Sequence, residues 1–423
     1  MKYQITTLPN GLRIVSSERS ELESVSIGVW IKTGAAFENS DNSGISHFLE
    51  HMVFKGTEKR TLEDISDEIE NTGGQINAYT AREFTSFYAR MLKDDAELAL
   101  DVIADMIRHP SFPEDELIKE RDVVIQEIKQ SIDTPDEIVF DYLQEKAFTN
   151  QGLGSNILGP EKNIRKFTRD DLYAYMKTNY AAENMVVCAV GNITHEQLVK
   201  YANERFADLQ PKVSFEITPQ KYCGGFKCEK RDIEQVHMAL GFEAFPYYNN
   251  KYFSAMLLSN VLGGGTSSRL FREIRDKRGL VYSVYSFSNS HISSGMLGIY
   301  AGTTKNELPI LMPVLCDEIK KICNEKITPL ELHRAQIQMK STILMAMESS
   351  SSVSEVLARQ HLIYNRVIPI KEMVANIESV TQDDILNTAQ HIFSANPSYS
   401  LVGSFGEYMD YDILKQNLQV KNG

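Results

Sequence analysis

The chain is poor in cysteine, with five in 423 residues. They are Cys188, Cys223, Cys228, Cys316 and Cys323: an odd number, with no C-x-x-C pair. That favours reduced thiols in a cytosolic protein over a disulfide framework, and a metal site on Cys223 and Cys228 would need two more ligands, none of which lies nearby. Long apolar runs are also missing; none approaches the ~18 residues needed to span a bilayer. The start, "MKYQITTLPNGLRIVSS", has no apolar core of a signal segment and alternates like a strand around a Pro-Asn-Gly turn. A cytoplasmic protein of bacterial type is expected. Basic charge is in deficit: 44 Lys and Arg stand against 57 Asp and Glu, a net charge of −13. Nucleic acid and anionic membrane, which both need a basic surface, are therefore not expected as partners.

What is present is an ordinary globular composition, 42% hydrophobic and 24% charged, in a chain too long for one core. It repeats itself once. "FTRDDLYAYMKTNYAAENMVVCAVGNI" begins at 167 and "VTQDDILNTAQHIFSANPSYSLVGSF" at 380. Both read T-x-D-D, an amphipathic helix, an aromatic with small residues and Asn, then an apolar strand ending in Gly. A weaker echo links "DELIKE" at 115 with "LELHRA" at 330. The inference is a duplicated domain. We expect repeats over 1–212 and 232–423, joined by a linker at 213–231, where Pro, Gly-Gly and charge occur without period. Strands and helices mix without regular alternation, so each repeat should be α+β, a mostly antiparallel sheet packed with helices.

One stretch carries chemistry: "GISHFLEHMVFKGT", residues 44–57, written H-x-x-E-H. The spacing predicts a helix over 43–55 with Gly56 as its stop. On a helical wheel Ile45, Phe48, Leu49, Met52 and Val53 share one arc, and His47, Glu50 and His51 share the opposite one. Two imidazoles at i and i+4 lie one above the other, so one zinc ion can bridge them. Glu50 points beside that ion, where a general base for the attacking water belongs. The pattern is that of the inverted zincins. The bland alternative is a solvent-facing helix stripe that uses His and Glu as filler; the H-x-x-E-H spacing, set wholly on the face opposite the apolar arc, favours the metal.

A catalytic zinc takes three protein ligands and keeps one position open. The third should come from "PEDELIKERDVVIQEIKQS", a predicted helix over 113–131. Leu117, Val124 and Ile128 define its buried side. Glu120 and Glu127, two turns apart, both fall at the margin of that side, and the wheel does not choose between them.

Together "SGISHFLEHMVFKGT", "ERDVVIQEI", "GGQINAYT" and "GGGTSSRLFREIRDKRGLVYSV" resemble the insulinase/pitrilysin family of zinc metallopeptidases over essentially the whole chain. Within it they are similar to the branch of mitochondrial processing peptidase β subunits and their short bacterial relatives. The resemblance implies His47, His51 and Glu127 as zinc ligands, Glu127 lying 76 residues after His51. It implies Glu120 as the support behind the site, and Glu50 as the catalytic base. It makes Asn77, Ala78 and Tyr79 a substrate-pairing edge strand, along which an extended peptide adds through backbone hydrogen bonds. In the second repeat the position of the zinc helix reads "LLSNVLGGG", without histidine. There the resemblance implies Arg275 and Tyr282 as donors to the oxyanion formed at the substrate carbonyl. The glycine-rich "GGGTSSR" lacks the Lys-Ser/Thr ending of a phosphate-binding loop. The expectation is a zinc-dependent endopeptidase acting on extended peptides or presequence-like segments in the chamber of a homodimer. The alternatives are a non-catalytic scaffold subunit of the same family, or a general oligopeptide-degrading peptidase.

Overall fold

The computed structural model describes residues 2–211 and 218–418. The expected join at 212 and the first linker residues, 213–217, lie outside the described residues. The first half forms β1 (Gln4–Thr7), β2 (Arg13–Glu18), β3 (Ser24–Ile31), α1 (Ile45–Met52), α2 (Leu62–Glu70), β4 (Gln75–Thr80) and β5 (Thr85–Leu92). It continues with α3 (Ala96–Arg108), α4 (Glu114–Ile132), α5 (Pro135–Ala147), α6 (Glu161–Ile164), α7 (Arg169–Asn179), β6 (Met185–Gly191) and α8 (His195–Phe206). The second half forms β7 (Gly225–Lys230), β8 (Gln235–Glu243), α9 (Tyr252–Gly263), a π-helical turn at Phe271–Asp276, β9 (Ser283–Ser290) and β10 (Gly295–Thr304). It ends with α10 (Leu308–Asn324), α11 (Pro329–Ala346), α12 (Ser350–Tyr364), α13 (Ile370–Ser379), α14 (Gln382–Phe393), β11 (Ser398–Gly403) and α15 (Tyr411–Leu418).

The duplication is visible strand by strand. The first sheet runs β1-β2-β6-β3-β5-β4 and the second β7-β11-β8-β10-β9. Among the described residues only β2–β6 and β7–β11 pair in parallel; their other strand neighbours are antiparallel. With β1 set aside as an extra edge, the two orders coincide. The T-x-D-D signature does the same work in both halves. Thr168 with Asp171 opens α7, and Thr381 with Asp384 opens α14, each as a reciprocal capping box. The fold is therefore the expected α+β duplication.

The compact units do not follow the halves. One holds Met1–Ile128, Asn156–Thr218 and Ile343–Ile370; the other holds Lys129–Ser155, Pro219–Thr342 and Lys371–Gly423. The expected domains at 1–212 and 232–423 are continuous, whereas these units exchange equivalent helices. In the first unit α12, from the second half, packs on β2, β3 and β6. In the second, α5, from the first half, packs on β7, β8 and β11. Side chains fix both. Trp30, 1% exposed, donates its indole N–H to Glu355 Oε2 of α12 at 2.7 Å. Phe140 of α5 stacks on Tyr300, ring centroids 5.4 Å apart. No helix among the described residues is long and apolar enough to cross a membrane.

Candidate metal centre

The histidine helix is held at both ends and along one face. At its start Glu38 accepts from the backbone N–H groups of Gly44 (2.7 Å) and Ser46 (2.8 Å), capping α1 from outside. Burial pushes the Glu38 carboxyl up, against those stabilising bonds. Gly44 sits at φ 95°, and a Cβ there would lie 2.7 Å from the Leu158 carbonyl oxygen, so no other residue fits. Ile45, Phe48, Leu49 and Met52 are buried in the core, each contributing about 1.5–3 kcal/mol of burial. The α-helix stops at Met52; a 3-10 turn, Val53–Lys55, carries the chain to Gly56 at φ 121°. The predicted end was therefore right in place, with a tighter last turn.

The opposite face carries His47, Glu50 and His51, with ring centroids of the two histidines 4.7 Å apart. Helix α4 brings both glutamates to them. Glu127 Oε2 lies 3.7 Å from His47 Nε2 and 3.5 Å from His51 Nε2. Three donors placed tetrahedrally at zinc distances of ~2.0–2.1 Å would be ~3.3–3.4 Å apart. The donor set and its spacing therefore fit a zinc ion. Among the described residues this trio is the one cluster of His, Cys, Asp and Glu able to hold a metal.

Glu120 plays a different part. It is 5% exposed, and its Oε2 lies 3.0 Å from His51 Nδ1, the nitrogen turned away from the cluster. With Nδ1–H donated to Glu120, Nε2 keeps its lone pair for an ion. Lys55 Nζ meets the other oxygen, Oε1, at 2.7 Å. Glu127 has a more open side chain, 39% exposed against 7% for Glu120. The structure thus separates the two glutamates that the wheel left equivalent.

Charge in the cluster is unevenly held by the side chains themselves. Burial, then the neighbouring His51, brings His47 down to about 4. Burial also lowers His51, but Glu120, Glu127 and Glu50 outweigh it and the net shift is upward. Burial raises the Glu50 carboxyl, Glu127 adds to the rise, and Thr80 and His51 oppose it. Glu50 Oε2 and His47 Nδ1 are buried without a hydrogen-bond partner, as is the hydroxyl of Tyr180, which feels the charge of Glu50. A carboxylate with a free oxygen, raised affinity for a proton and no place in the donor trio is suited to take a proton from water.

The expected substrate strand is β4, the outer edge of the first sheet, and α1 packs against it. Asn77 is exposed, and its Oδ1 accepts from the Ala78 N–H at 2.8 Å. The Tyr79 hydroxyl donates to Glu355 Oε1. Arg275 and Tyr282 stand in the second compact unit. Arg275 lies in the π-helical turn with its guanidinium 5.0 Å from the Phe271 ring centroid. Tyr282, 53% exposed, precedes β9 and donates its backbone N–H to the Gly302 carbonyl at 2.8 Å.

The second repeat has lost the donors. With Gly56-Thr57 aligned on Gly265-Thr266, His47, Glu50 and His51 correspond to Met256, Ser259 and Asn260. With "DELIKE" on "LELHRA", Glu120 and Glu127 correspond to Ala335 and Thr342. Sequence reasoning missed Lys55, although its place four residues after His51 was a usable signal. It also missed Glu38 and Glu355, for which no local pattern exists.

A family model described as insulinase, peptidase family M16, matches residues 13–161, and one described as the peptidase M16 inactive domain matches residues 166–339. A protein of Rickettsia felis named an uncharacterized zinc protease is 38% identical, over 95% of this chain and 97% of its own. One of the same description from Bacillus subtilis is 36% identical over 95% of this chain and 98% of its own. The human mitochondrial-processing peptidase subunit beta is 32% identical over 98% of this chain and 87% of its own. The crystal structure of a protease from Helicobacter pylori superposes with a TM-score of 0.89 at 22% identity, covering 95% of this chain and 99% of that one. That last likeness concerns the fold.

Proposed function

The chain belongs to the insulinase family of peptidases, peptidase family M16, and we propose that it is a zinc-dependent endopeptidase cutting extended peptides. The observation that carries this is the donor trio of His47, His51 and Glu127 at zinc spacing, with Glu50 beside it and one of its carboxylate oxygens free. Zinc held there would polarise the scissile carbonyl and acidify the attacking water. Glu50 takes the proton of that water and returns it to the leaving amine. Glu120 accepts His51 Nδ1–H and keeps the imidazole in the ligand tautomer. An extended substrate adds to the edge of β4, and Asn77, Ala78 and Tyr79 meet its backbone. Recognition through backbone groups suits a peptidase that reads many sequences, including presequence-like segments.

Arg275 and Tyr282 donate to the oxyanion that develops on the substrate carbonyl. The π-helical turn that bears Arg275 supports this, since such turns are frequent at functional sites. The working unit is a homodimer in which the second repeat of one subunit serves the metal centre of the other. The test is digestion of a peptide library by zinc-loaded protein, with cleavage sites read by mass spectrometry. Cleavage should vanish on chelation and in Glu50→Gln. Stoichiometric zinc without cleavage of any peptide would turn the reading toward a non-catalytic scaffold.

A further inference from the structure

Lys55 has no role in the chemistry above, yet it is built into the centre. It ends the 3-10 turn after α1, and its side chain is 19% exposed. Its Nζ holds Glu120 Oε1 at 2.7 Å while Glu120 Oε2 holds His51 Nδ1 at 3.0 Å. The order is therefore lysine, carboxylate, imidazole, donor trio. We propose that Lys55 is a positioning residue of the metal centre: by fixing one oxygen of Glu120 it fixes the other, and with it the ring of His51. The proposal rests on the metal centre inferred above.

The physical reason is rotational. A glutamate has three side-chain torsions, and the last is broad and roughly two-fold. One bond, to His51, would leave the carboxylate free to swing with the ring it is meant to hold. A second bond on the other oxygen removes that freedom. Lys55 and Glu120 also neutralise each other in a site where an unpaired carboxylate would be costly.

The fold itself does not call for this lysine–glutamate pair. The second repeat is an internal control. It keeps the strand order of the first sheet. Yet with Met256 and Thr342 in place of His47 and Glu127, it has Asn260, Ala335 and Gly264 in place of His51, Glu120 and Lys55. The whole relay is absent where the ligands are absent, and the sheet forms without it.

The experiment compares zinc loss to a chelator from purified full-length wild type, Lys55→Met, Lys55→Arg, Glu120→Gln and the double variant Lys55→Met/Glu120→Gln. Lys55→Met should release zinc about tenfold faster, the lower end of what loss of an outer partner brings. Lys55→Arg, which can still donate to Oε1, should recover most of the retention. In the Glu120→Gln background Lys55→Met should add nothing, because the lysine acts through that carboxylate. Cobalt-substituted Lys55→Met should show a changed visible spectrum, which a general loss of stability would not produce. Circular dichroism checks folding, and should Lys55→Met fail to fold, the Lys55→Gln variant takes its place. Equal retention in wild type and Lys55→Met, or effects that add in the double variant, would overturn the proposal. If wild type holds no zinc, or holds it equally well after His51→Ala, the metal centre itself is wrong and the proposal falls with it.

Discussion

Replacing Glu50 by glutamine separates its two properties, being buried and being a base. In the metal-free protein Glu50 is a strained group. Burial and then Glu127 raise its affinity for a proton, Thr80 and His51 only partly relieve it, and Oε2 has no partner. A carboxyl whose folded pKa lies above its unfolded one keeps its proton longer when folded, so stability is lost as pH rises through the carboxylate range. Glutamine keeps the shape and removes the charge. An unsatisfied buried group costs ~1–3 kcal/mol, more when charged; glutamine still leaves one terminal atom unpaired and removes only the charge, so the gain is taken at the lower figure, about 1 kcal/mol. For a cooperative unit of ~150–250 residues that is a rise of about 2–4 °C in Tm. The expected result is a metal-free Glu50→Gln protein that melts higher than wild type at pH 8, the gain fading as pH falls below the carboxylate range. In the zinc-loaded protein the carboxylate faces a cation, so the gain should shrink or reverse. Zinc stoichiometry should be unchanged, and peptide hydrolysis should drop by about 10²–10⁴-fold. Calorimetry with and without chelator, metal analysis and a quenched-peptide assay measure all three. Near-wild-type turnover would remove Glu50 as the base, loss of zinc would make it a ligand, and an unchanged metal-free Tm would show that the carboxyl is not strained.

Glu127→Gln should weaken zinc retention far more than Glu120→Gln, since only Glu127 faces both Nε2 atoms; chelator competition ranks them, and the reverse order would refute the assignment. In the metal-free protein the ring protons of His47 should titrate at about 4 and those of His51 above the ordinary histidine range, as read by NMR. The depressed His47 favours the neutral folded form, so its contribution to metal-free stability should be lost on acidification from about 6.5 toward about 4, whereas that of His51 should be lost as pH rises past its raised value. Mixing Glu50→Gln with Tyr282→Phe protein should restore part of the hydrolysis once tagged pull-down confirms mixed dimers; mixed dimers without activity would mean that Tyr282 works within its own chain or not at all.

The sequence made α1 readable because everything that defines it is local. A period of 3.6 sorts Phe48, Leu49 and Met52 from His47, Glu50 and His51 without reference to the rest of the molecule. The repeat was readable for a similar reason: Thr168 and Thr381 open their helices through bonds to residues three positions on, so the same four letters give the same cap. The choice between Glu120 and Glu127 was not of this kind. Both lie on the inward margin of α4, and what tells them apart is on other elements: Glu127 meets the Nε2 atoms of both histidines, whereas Glu120 is held between His51 Nδ1 and Lys55. The exchange of α5 and α12 was hidden for the same reason. An amphipathic helix encodes that it will bury a face, not which of two similar sheets will receive it. That choice is written in single long-range contacts, Trp30 with Glu355 and Phe140 with Tyr300, which have no period. It follows that the glutamates around the site differ in what limits them. Glu50 is limited by its own helix and could be read from fourteen residues. Glu120 is limited by its partners: the family resemblance could name it as the support, but the contacts that make it one, with Lys55 and His51, exist only in the folded chain.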